Sequence, residues 1–398
     1  MTPRQKIKFS VFMLEGLNSF GTVFYFNYLY FWMRDEFGFG NKRNLALAAA
    51  LGFFYTFAAW QTGKFAQRRG YFAALKTGYI IMALALAAGW FLKFAAGQVC
   101  TAIVVTLGMC FIWPTLEAFT SDGETSESLP RMVGIYNVVW AATAALAFFS
   151  GGMFIKLFGY QILFTLPLVV VLAMLGLTFW LQGQATEAAR EALEGREGAA
   201  PSQEPHQPAS PSAKIFLRMA WLANPFAYIA IQTIIAVIPG IAAKFQMSPM
   251  LTGFVCSLWY FVRMGAFVVL WHWTGWHYKF RWLAAAFVFL IGSFITVLLS
   301  PNLAVLIVAQ IFLGGAIGLI YYSSLFYSMD AGDTRGEHGG IHEAAIGMGN
   351  CVGPAVGALS LQFLPQYPNG AVTAVSVLLL GGFAALVAIW KRGKARSP

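Results

Sequence analysis

The chain has 398 residues, of which 59% are hydrophobic and only 11% carry a formal charge, and its mean hydropathy is +0.66. Soluble domains carry about 25% charged residues, so this composition excludes an ordinary soluble protein and indicates a polytopic membrane protein. The net charge of +10 is spread over loops rather than gathered on a soluble basic domain. We therefore expect no nucleic-acid partner.

Apolar runs between turn and charge signals predict twelve membrane spans, each near the roughly 20 residues that a helix needs to cross a bilayer. The first run is too long for a signal peptide and lacks a small-residue cleavage site, so we expect a retained helix. The expected fold is all-α. In chain order the predicted spans lie near residues 8–33, 45–66, 73–93, 97–119, 134–155, 160–182, 217–242, 250–273, 281–300, 302–328, 340–362 and 371–391.

The lysines and arginines predict the orientation of the chain. If the N-terminus is cytoplasmic and the spans alternate, nineteen of the 26 basic residues fall on the cytoplasmic side, six fall on the other side and Arg263 lies inside span 8. Cytoplasmic loops carry the excess of basic residues in membrane proteins. We therefore expect both termini to be cytoplasmic. We also expect a multi-pass protein of a bacterial-type inner membrane.

A long polar segment divides the spans into two sets of six. Residues 184–214 begin with a charged, alanine-rich stretch that predicts a short surface helix and end in a flexible stretch rich in Pro, Ser and Gln. The segments "WQTGKFAQRRG" after span 2 and "HWTGWHYKFRW" after span 8 share a Thr-Gly pair that is followed by a basic cluster. We expect two pseudo-symmetric six-helix bundles, residues 1–183 and 215–398, joined by the cytoplasmic linker, as in transporters built from parallel repeats.

This arrangement resembles the major facilitator superfamily. "GKFAQRRGYFAALK" is similar to the signature loop of that family between spans 2 and 3: Gly63, Arg68 and Gly70 match it, and Gln67 stands where an acidic residue is usual. The resemblance implies alternating access between two bundles and assigns Gly63, Gln67 and Arg68 to a gate. It does not identify a subfamily.

A second segment, "GNCVGPAVG" in span 11, resembles the glycine-proline motif that many antiporters of the family carry in span 5. Span 5 of this chain has only "AATAALAFFSGG", without the proline. Small residues allow close approach of helix backbones in a membrane, so we interpret the motif as tight helix packing. Bending of span 11 during gating and direct substrate contact are the alternatives.

Glu15 is the one formal charge between Phe9 and Met33. An ionised carboxylate at depth costs about 2.5–3.5 kcal/mol on insertion scales and normally marks a functional cavity. Helical spacing places Asn18, Ser19, Thr22 and Tyr25 on the same side of span 1 as Glu15. We predict that this polar stripe lines a water-filled path and that Glu15 carries a coupling proton. The alternative is a glutamate that stabilises the bundle through hydrogen bonds.

Arg263 lies near the middle of span 8 and must pair with an acid or bind an anionic ligand, because its guanidinium stays charged. Glu15 is a candidate partner. Some carboxylate carriers of the superfamily have an arginine in span 8, which implies an anionic substrate here. The family also lines its cavity with spans 1, 4, 7 and 10. With Arg263, the substrate-contact candidates are Asn18, Thr22, Tyr25, Asn224, Tyr228, Gln232, Gln310, Tyr321 and Ser324.

Three further polar residues lie near the cytoplasmic ends of their spans. Glu117 in span 4 is assigned to a gate, with a binding role left open. His342 and Glu343 open span 11, where a carboxylate favours the positive end of the helix dipole. We assign both to the cytoplasmic gate or to capping, with a proton relay through His342 as the alternative.

The chain lacks a nucleotide-binding loop, a metal-ligand spacing and a nucleophile arrangement, so we predict a secondary transporter and no enzyme. The expected function is proton-coupled uptake or exchange of a small organic solute, and Arg263 favours an anionic one. A multidrug/proton antiporter is the alternative, and a sensor or lipid-scrambling scaffold is a third. We expect no cofactor and no metal; the expected partners are the solute, protons and the lipid bilayer, and the chain is expected to act as a monomer.

Overall fold

The computed structural model describes residues 3–121, 124, 128–194, 211–331 and 337–395. These residues form helices and, within the ranges just given, no strand. The helices are α1 (Pro3–Phe37), α2 (Asn41–Arg69), α3 (Tyr71–Phe91), α4 (Ala95–Ser121), α5 (Leu129–Phe158), α6 (Ile162–Glu194), α7 (Pro211–Lys244), α8 (Pro249–Cys256), α9 (Leu258–His272), α10 (Phe280–Leu299), α11 (Leu303–Ala331), α12 (Glu337–Phe363) and α13 (Gly370–Lys394).

The twelve predicted spans correspond to these helices. Helices α8 and α9 follow each other through Ser257 and together make the eighth crossing. Eleven of the crossings are long and apolar enough to span a membrane. The other is α1, a helix of 35 residues whose Glu15 and Asn18 lower its mean hydropathy. The expected twelve-helix, all-α fold is confirmed.

The chain between the sixth and seventh crossings departs from the expected linker. The charged, alanine-rich stretch does not form a separate surface helix but continues α6 as far as Glu194. The cause is local, because alanine, glutamate and arginine are strong helix formers and no glycine or proline interrupts residues 185–194. Residues 195–210, which include the Pro-rich stretch, lie outside the described residues.

Two sets of helices pack together. Helix α1 packs against α5 and α6, and α3 packs against α4 and α6; in the second set, α7 packs against α11, α12 and α13. The sets meet where α2 packs against α12 and α7, and where α5 packs against α8 and α9. The residue limits of the two bundles stay a prediction.

Glycines of α12 allow close helix contacts in the second set. A Cβ atom on Gly349 would lie 2.3 Å from the carbonyl oxygen of Pro225, and one on Gly353 would lie 2.6 Å from that of Ile229. These distances are too short for any side chain, so the backbones of α12 and α7 touch. The contacts are those expected if "GNCVGPAVG" serves tight packing.

Glycines also bring the two sets together at the end of the bundle away from both chain termini. A Cβ on Gly152 of α5 would lie 2.1 Å from the carbonyl oxygen of Pro249, and one on Gly240 of α7 would lie 2.3 Å from Oδ1 of Asn41. A Cβ on Gly253 of α8 would meet the hydroxyl of Tyr28 at 2.4 Å. We name Gly152, Gly240 and Gly253 the glycine seam. At Gly152 the closest atoms of the opposite bundle are backbone, and at Gly240 and Gly253 they belong to the side chains of Asn41 and Tyr28.

Candidate transport site

A cavity of about 190 Å³ lies between the two sets of helices. Helices α1, α2, α4, α5, α7, α9, α11 and α12 all contribute to its wall, so both sets enclose it. The wall is mostly apolar and aromatic, with two charged side chains, Arg263 and Glu343. The polar and aromatic lining residues are Thr22, Phe26, Asn27, Tyr55, Thr106, Trp113, Trp140, Tyr228, Gln232, Trp259, Tyr260, Tyr321 and Asn350.

Arg263 of α9 lines the cavity inside a cage of aromatic rings and is only 2% exposed. Its Cζ atom lies 4.4 Å from the ring centroid of Trp140 and 4.8 Å from that of Tyr321. Its Nη2 donates to the hydroxyl of Tyr228 at 3.4 Å, whereas Nε has no hydrogen-bond partner in the described part of the chain. Each such cation–π contact contributes about 0.5–2 kcal/mol. The cage holds the guanidinium in place and leaves donors available.

The predicted partner of Arg263 is elsewhere. Glu15 of α1 is fully buried; its Oε1 accepts a hydrogen bond from Ser19 Oγ at 2.8 Å, and its Oε2 has no hydrogen-bond partner among the described residues. The hydroxyl of Tyr136 faces this carboxyl group from α5. Over the ranges that the structure describes, no ion pair joins Glu15 to Arg263.

Only part of the polar stripe of α1 faces the cavity. Thr22 lines it, whereas Glu15, Asn18, Ser19 and Tyr25 do not. The reason is packing: α1 lies against α5 and α6, and these helices cover the side of α1 that carries Glu15 and Tyr25. In this conformation Thr22 is the member of the stripe that lies in the cavity wall, and the water-filled path stays a prediction.

A group of ionisable side chains lies at the junction of α2, α4 and α12. One ligand atom each from Glu117, His342 and Glu343 lies within 4.8 Å of the others, and we name these three residues the carboxyl cluster. The hydroxyl of Tyr55 donates a hydrogen bond to Oε2 of Glu343. Two carboxylates and an imidazole this close are also a donor set that a divalent cation can use.

The residues assigned to a gate fall into two groups. Glu343 is 4% exposed and lines the cavity, while His342 is 6% exposed beside it. Both lie inside α12 rather than at its start, because the helix begins at Glu337. Gly63, Gln67 and Arg68 belong to α2, with Gln67 and Arg68 exposed near its end. The turn itself is made by Gly70, whose φ of +86° suits a residue without a side chain.

The predicted substrate contacts divide in the same way. Arg263, Thr22, Tyr228, Gln232 and Tyr321 line the cavity. The other five candidates are buried between helices and do not line it: Asn18, Tyr25, Asn224, Gln310 and Ser324. Gln310, for example, donates from Nε2 to the carbonyl oxygen of Val255 at 3.1 Å and so serves the contact between α11 and α8. The prediction selected the helices that line the cavity but did not show which face of each helix points toward it.

Several lining residues were not predicted. Tyr55 and Asn350 come from α2 and α12, Trp140 from α5, and Tyr260 from α9. Tyr260 receives a hydrogen bond from Asn27 Nδ2 at 3.1 Å, which joins the two sets across the cavity. Tyr55 and Asn350 are polar side chains inside apolar runs of the sequence, and this pattern could have identified them. Trp140 carries no such signal in a chain that contains 13 tryptophans.

Solved structures of transporters resemble this chain over its whole length. The human organic anion transporter MFSD10 (TETRAN) superposes with a TM-score of 0.68 at 13% identity, covering 97% of this chain and 100% of that one. A structure described as giving insight into substrate recognition in proton dependent oligopeptide transporters also superposes with a TM-score of 0.68, at 15% identity, covering 98% and 99%. At these identities the likeness shows the fold.

Comparison at the level of sequence gives the family. No curated protein sequence matches the chain significantly. The model of the Major Facilitator Superfamily matches residues 11–331, which is most of the chain, and the folds of the two solved transporters agree with it. The chain therefore belongs to the Major Facilitator Superfamily and is a membrane transporter.

Proposed function

We propose that this transporter moves a small organic solute with a negatively charged group across the membrane, in symport with protons and by alternating access of the two bundles. One observation carries the proposal: Arg263 presents its guanidinium to the central cavity without a carboxylate partner among the described residues. A buried arginine needs a counter-charge, and its planar fork of donors matches a carboxylate. The solute would supply that carboxylate.

The shape of the cavity supports a small solute. Pockets for drug-sized ligands measure about 300–1,000 Å³, and this cavity measures about 190 Å³. Trp140, Tyr228 and Tyr321 surround the guanidinium and offer apolar faces for the carbon skeleton of the solute. Gln232, held by a hydrogen bond of 2.9 Å to the hydroxyl of Tyr30, adds a polar contact from α7. Of the two solved structures that superpose on this chain, one is described as an organic anion transporter and the other concerns proton dependent oligopeptide transporters.

Proton coupling belongs to the same proposal, with Glu15 as the carrier. A carboxyl group that is fully buried and has one oxygen without a hydrogen-bond partner suits the protonated, neutral form. Release of that proton would require water to reach α1, which an opening of the bundles can provide. We further propose that both termini are cytoplasmic, that the bundles are residues 1–183 and 215–398, and that the transporter acts as a monomer.

A multidrug/proton antiporter is the second candidate. It is favoured by Trp113, Trp140 and Trp259 in the cavity wall, which suit a lipophilic cation, and by the acidic Glu343 in the same wall. The position of Arg263 opposes it, because an unpaired guanidinium repels a cationic ligand. The two candidates therefore differ in the charge of the ligand that the cavity accepts.

The test uses the purified chain in liposomes with an imposed pH gradient. We expect uptake of at least one radiolabelled small carboxylate from a panel of mono- and dicarboxylates, and none of tetraphenylphosphonium. In Arg263→Gln the half-saturating concentration should rise about tenfold to hundredfold, since a hydrogen-bonded charge contributes about 1.5–3 kcal/mol and 1.4 kcal/mol is a factor of ten. Arg281→Gln, at an exposed arginine on α10, is the matched control.

Two outcomes would contradict the proposal. Unchanged half-saturation in Arg263→Gln for every transported anion would remove the role of the arginine. Proton-driven export of tetraphenylphosphonium without carboxylate transport would establish the antiporter instead. Equal elution profiles in detergent for Arg263→Gln and Arg281→Gln would show that the substitution leaves the fold intact.

A further inference from the structure

The carboxyl cluster brings two oxygen donors and one nitrogen donor together between the two sets of helices. Glu117 belongs to α4 in the first set, whereas His342 and Glu343 belong to α12 in the second. One ligand atom of each residue lies within 4.8 Å of the other two. Ligands that lie about 2.0–2.2 Å from a tetrahedral Zn²⁺ are about 3.4 Å from one another. Small side-chain rotations would therefore close this set around one ion.

His342 distinguishes the cluster from a simple group of acids. Its side chain is only 6% exposed, and its Nε2 has no hydrogen-bond partner in the described ranges. Buried polar atoms normally have a partner, so a buried ring nitrogen without one needs an explanation. A nitrogen of this ring is one of the three clustered ligand atoms. Imidazole is a common metal ligand, and a bound ion would use its free lone pair.

The charges of the cluster also suit a divalent cation. Glu343 is 4% exposed, and no lysine or arginine in the described part of the chain forms an ion pair with it. Buried charges in proteins are paired or coordinate metal ions. Arg263 lines the same cavity, but Trp140 and Tyr321 enclose its guanidinium. Two carboxylates and one divalent cation together carry no net charge, which offsets the cost of burying them.

The surroundings of Glu343 provide support for an ion and a route to it. The hydroxyl of Tyr55 on α2 donates to Oε2 of Glu343, and outer hydrogen bonds of this kind hold a ligating carboxylate in place. Glu343 also lines the central cavity, so an ion bound to it can be reached from there. Zinc sites with three protein ligands keep a fourth position for water or another ligand. That position would face the cavity.

From these contacts we propose that Glu117, His342 and Glu343 bind a divalent transition-metal ion, with Zn²⁺ as the best fit. The nitrogen ligand argues against Mg²⁺ and Ca²⁺, which take oxygen ligands. Because the ligands come from both bundles, the ion ties α4 to α12 at the end that carries the termini, and Zn²⁺ should inhibit transport. The sequence predicts no metal because the ligands belong to helices that are far apart in the chain.

The first experiment measures the binding of Zn²⁺ alone by isothermal titration calorimetry. It uses the full chain in detergent, purified without a histidine tag and stripped with EDTA that is then removed. We expect one tightly bound ion per chain, which excess Mg²⁺ does not displace. H342Q, E343Q and E117Q should each weaken binding about tenfold or more, since each removes one ligand. H272Q and E36Q, at an exposed histidine and an exposed glutamate, are the matched controls and should bind as the wild type does.

Absence of Zn²⁺ binding by the wild-type chain would overturn the inference, and so would equal affinity in the wild type, H342Q and E343Q. If the variants fail to fold, the wild-type chain is titrated with Co²⁺ instead. A four-coordinate Co²⁺ site gives intense visible absorption bands, which we expect. The weak spectrum of six-coordinate Co²⁺, as in water, would overturn the site.

The second readout is uptake by liposomes of a carboxylate that the wild-type chain transports. Zn²⁺ should lower this uptake in the wild type and in H272Q, and EDTA should restore it. Unchanged uptake at Zn²⁺ concentrations that saturate the site would overturn the link between the bundles. The metal site does not depend on the proposed function. Failure of the wild-type chain to transport any carboxylate would contradict that function, and calorimetry would still decide whether the site exists.

Discussion

Two regions where the bundles meet differ in whether ionisable side chains take part. At the glycine seam the missing side chains let the opposite bundle approach, and a Cβ on Gly152 would lie 2.1 Å from the carbonyl oxygen of Pro249. At the carboxyl cluster the backbones also approach, with a Cβ on Gly347 placed 2.8 Å from the backbone nitrogen of Thr56, and Tyr55 adds a hydrogen bond to Glu343. Contacts of the first kind depend on shape, whereas contacts of the second kind depend also on ionisable groups. A transporter that couples proton binding to opening needs a contact of the second kind at one end at least.

The largest effect is expected from Gly152→Leu in the glycine seam. The leucine would overlap the backbone of α8, and overpacking of this kind costs about 1–3 kcal/mol. The bundles should then fail to close at this end, and transport should fall close to background. Uptake by liposomes and thermal unfolding in detergent measure the two effects.

Gly176→Leu is the matched control for this substitution, because a Cβ on Gly176 of α6 meets nothing within 4 Å. It introduces the same side chain into a helix at a site with open space. Wild-type uptake by Gly152→Leu would show that the seam is not needed for closure. Equal loss in both variants would attribute the effect to the leucine rather than to the seam.

An intermediate effect is expected from Tyr55→Phe at the other region. The substitution keeps the ring and removes one hydrogen bond to a carboxyl group, which contributes about 1.5–3 kcal/mol. Combined with Glu343→Gln in a double-mutant cycle, the two changes should be less than additive, because both act on one contact. Thermal unfolding in detergent of the four proteins measures the coupling, with Tyr367→Phe as an exposed control.

Strict additivity in that cycle would mean that Tyr55 and Glu343 act independently. The comparison between the regions would then weaken, because the carboxyl cluster would no longer be a joint between bundles. A coupling free energy above about 0.5 kcal/mol would support it. The contact of Gly152 with Pro249 offers no equivalent cycle, since its closest atoms are backbone.

The crossings could be predicted from the sequence, whereas the exact ends of the helices could not. Long apolar runs and their separating loops predicted all twelve crossings, because the bilayer imposes both length and composition on each helix. The helix ends were predicted less well: α1 begins at Pro3 and ends at Phe37, beyond the predicted 8–33 at both ends. Helix formers outside the apolar run extended it. The pattern of hydropathy carries no information on such extensions.

Part of the site could also be predicted from the sequence. Arg263 could be identified because a charge deep in an apolar run must face a cavity or a partner. The same reasoning selected Glu15, but the structure places that side chain between α1 and α5, where it contacts Ser19 rather than the cavity. The rotation of a helix about its own axis depends on its neighbours, and a single helix pattern does not record them. Tyr55 and Glu343, which are 288 residues apart, hydrogen-bond to each other. A contact of this kind depends on which helices are neighbours, and the sequence pattern of a single helix does not give that.

The smallest effect is expected from Lys42→Met, which removes a polar contact between bundles near the glycine seam. Lys42 Nζ donates to Oε1 of Gln362 at 3.0 Å, and both side chains are exposed. Exposed polar pairs contribute about 0–1 kcal/mol, because water competes for the donor and both side chains lose freedom. We expect thermal stability and uptake to change by no more than Lys93→Met changes them, and added salt to have little effect. A loss of transport comparable to that of Gly152→Leu would show that this end is held by polar contacts, and would remove the distinction between the two regions.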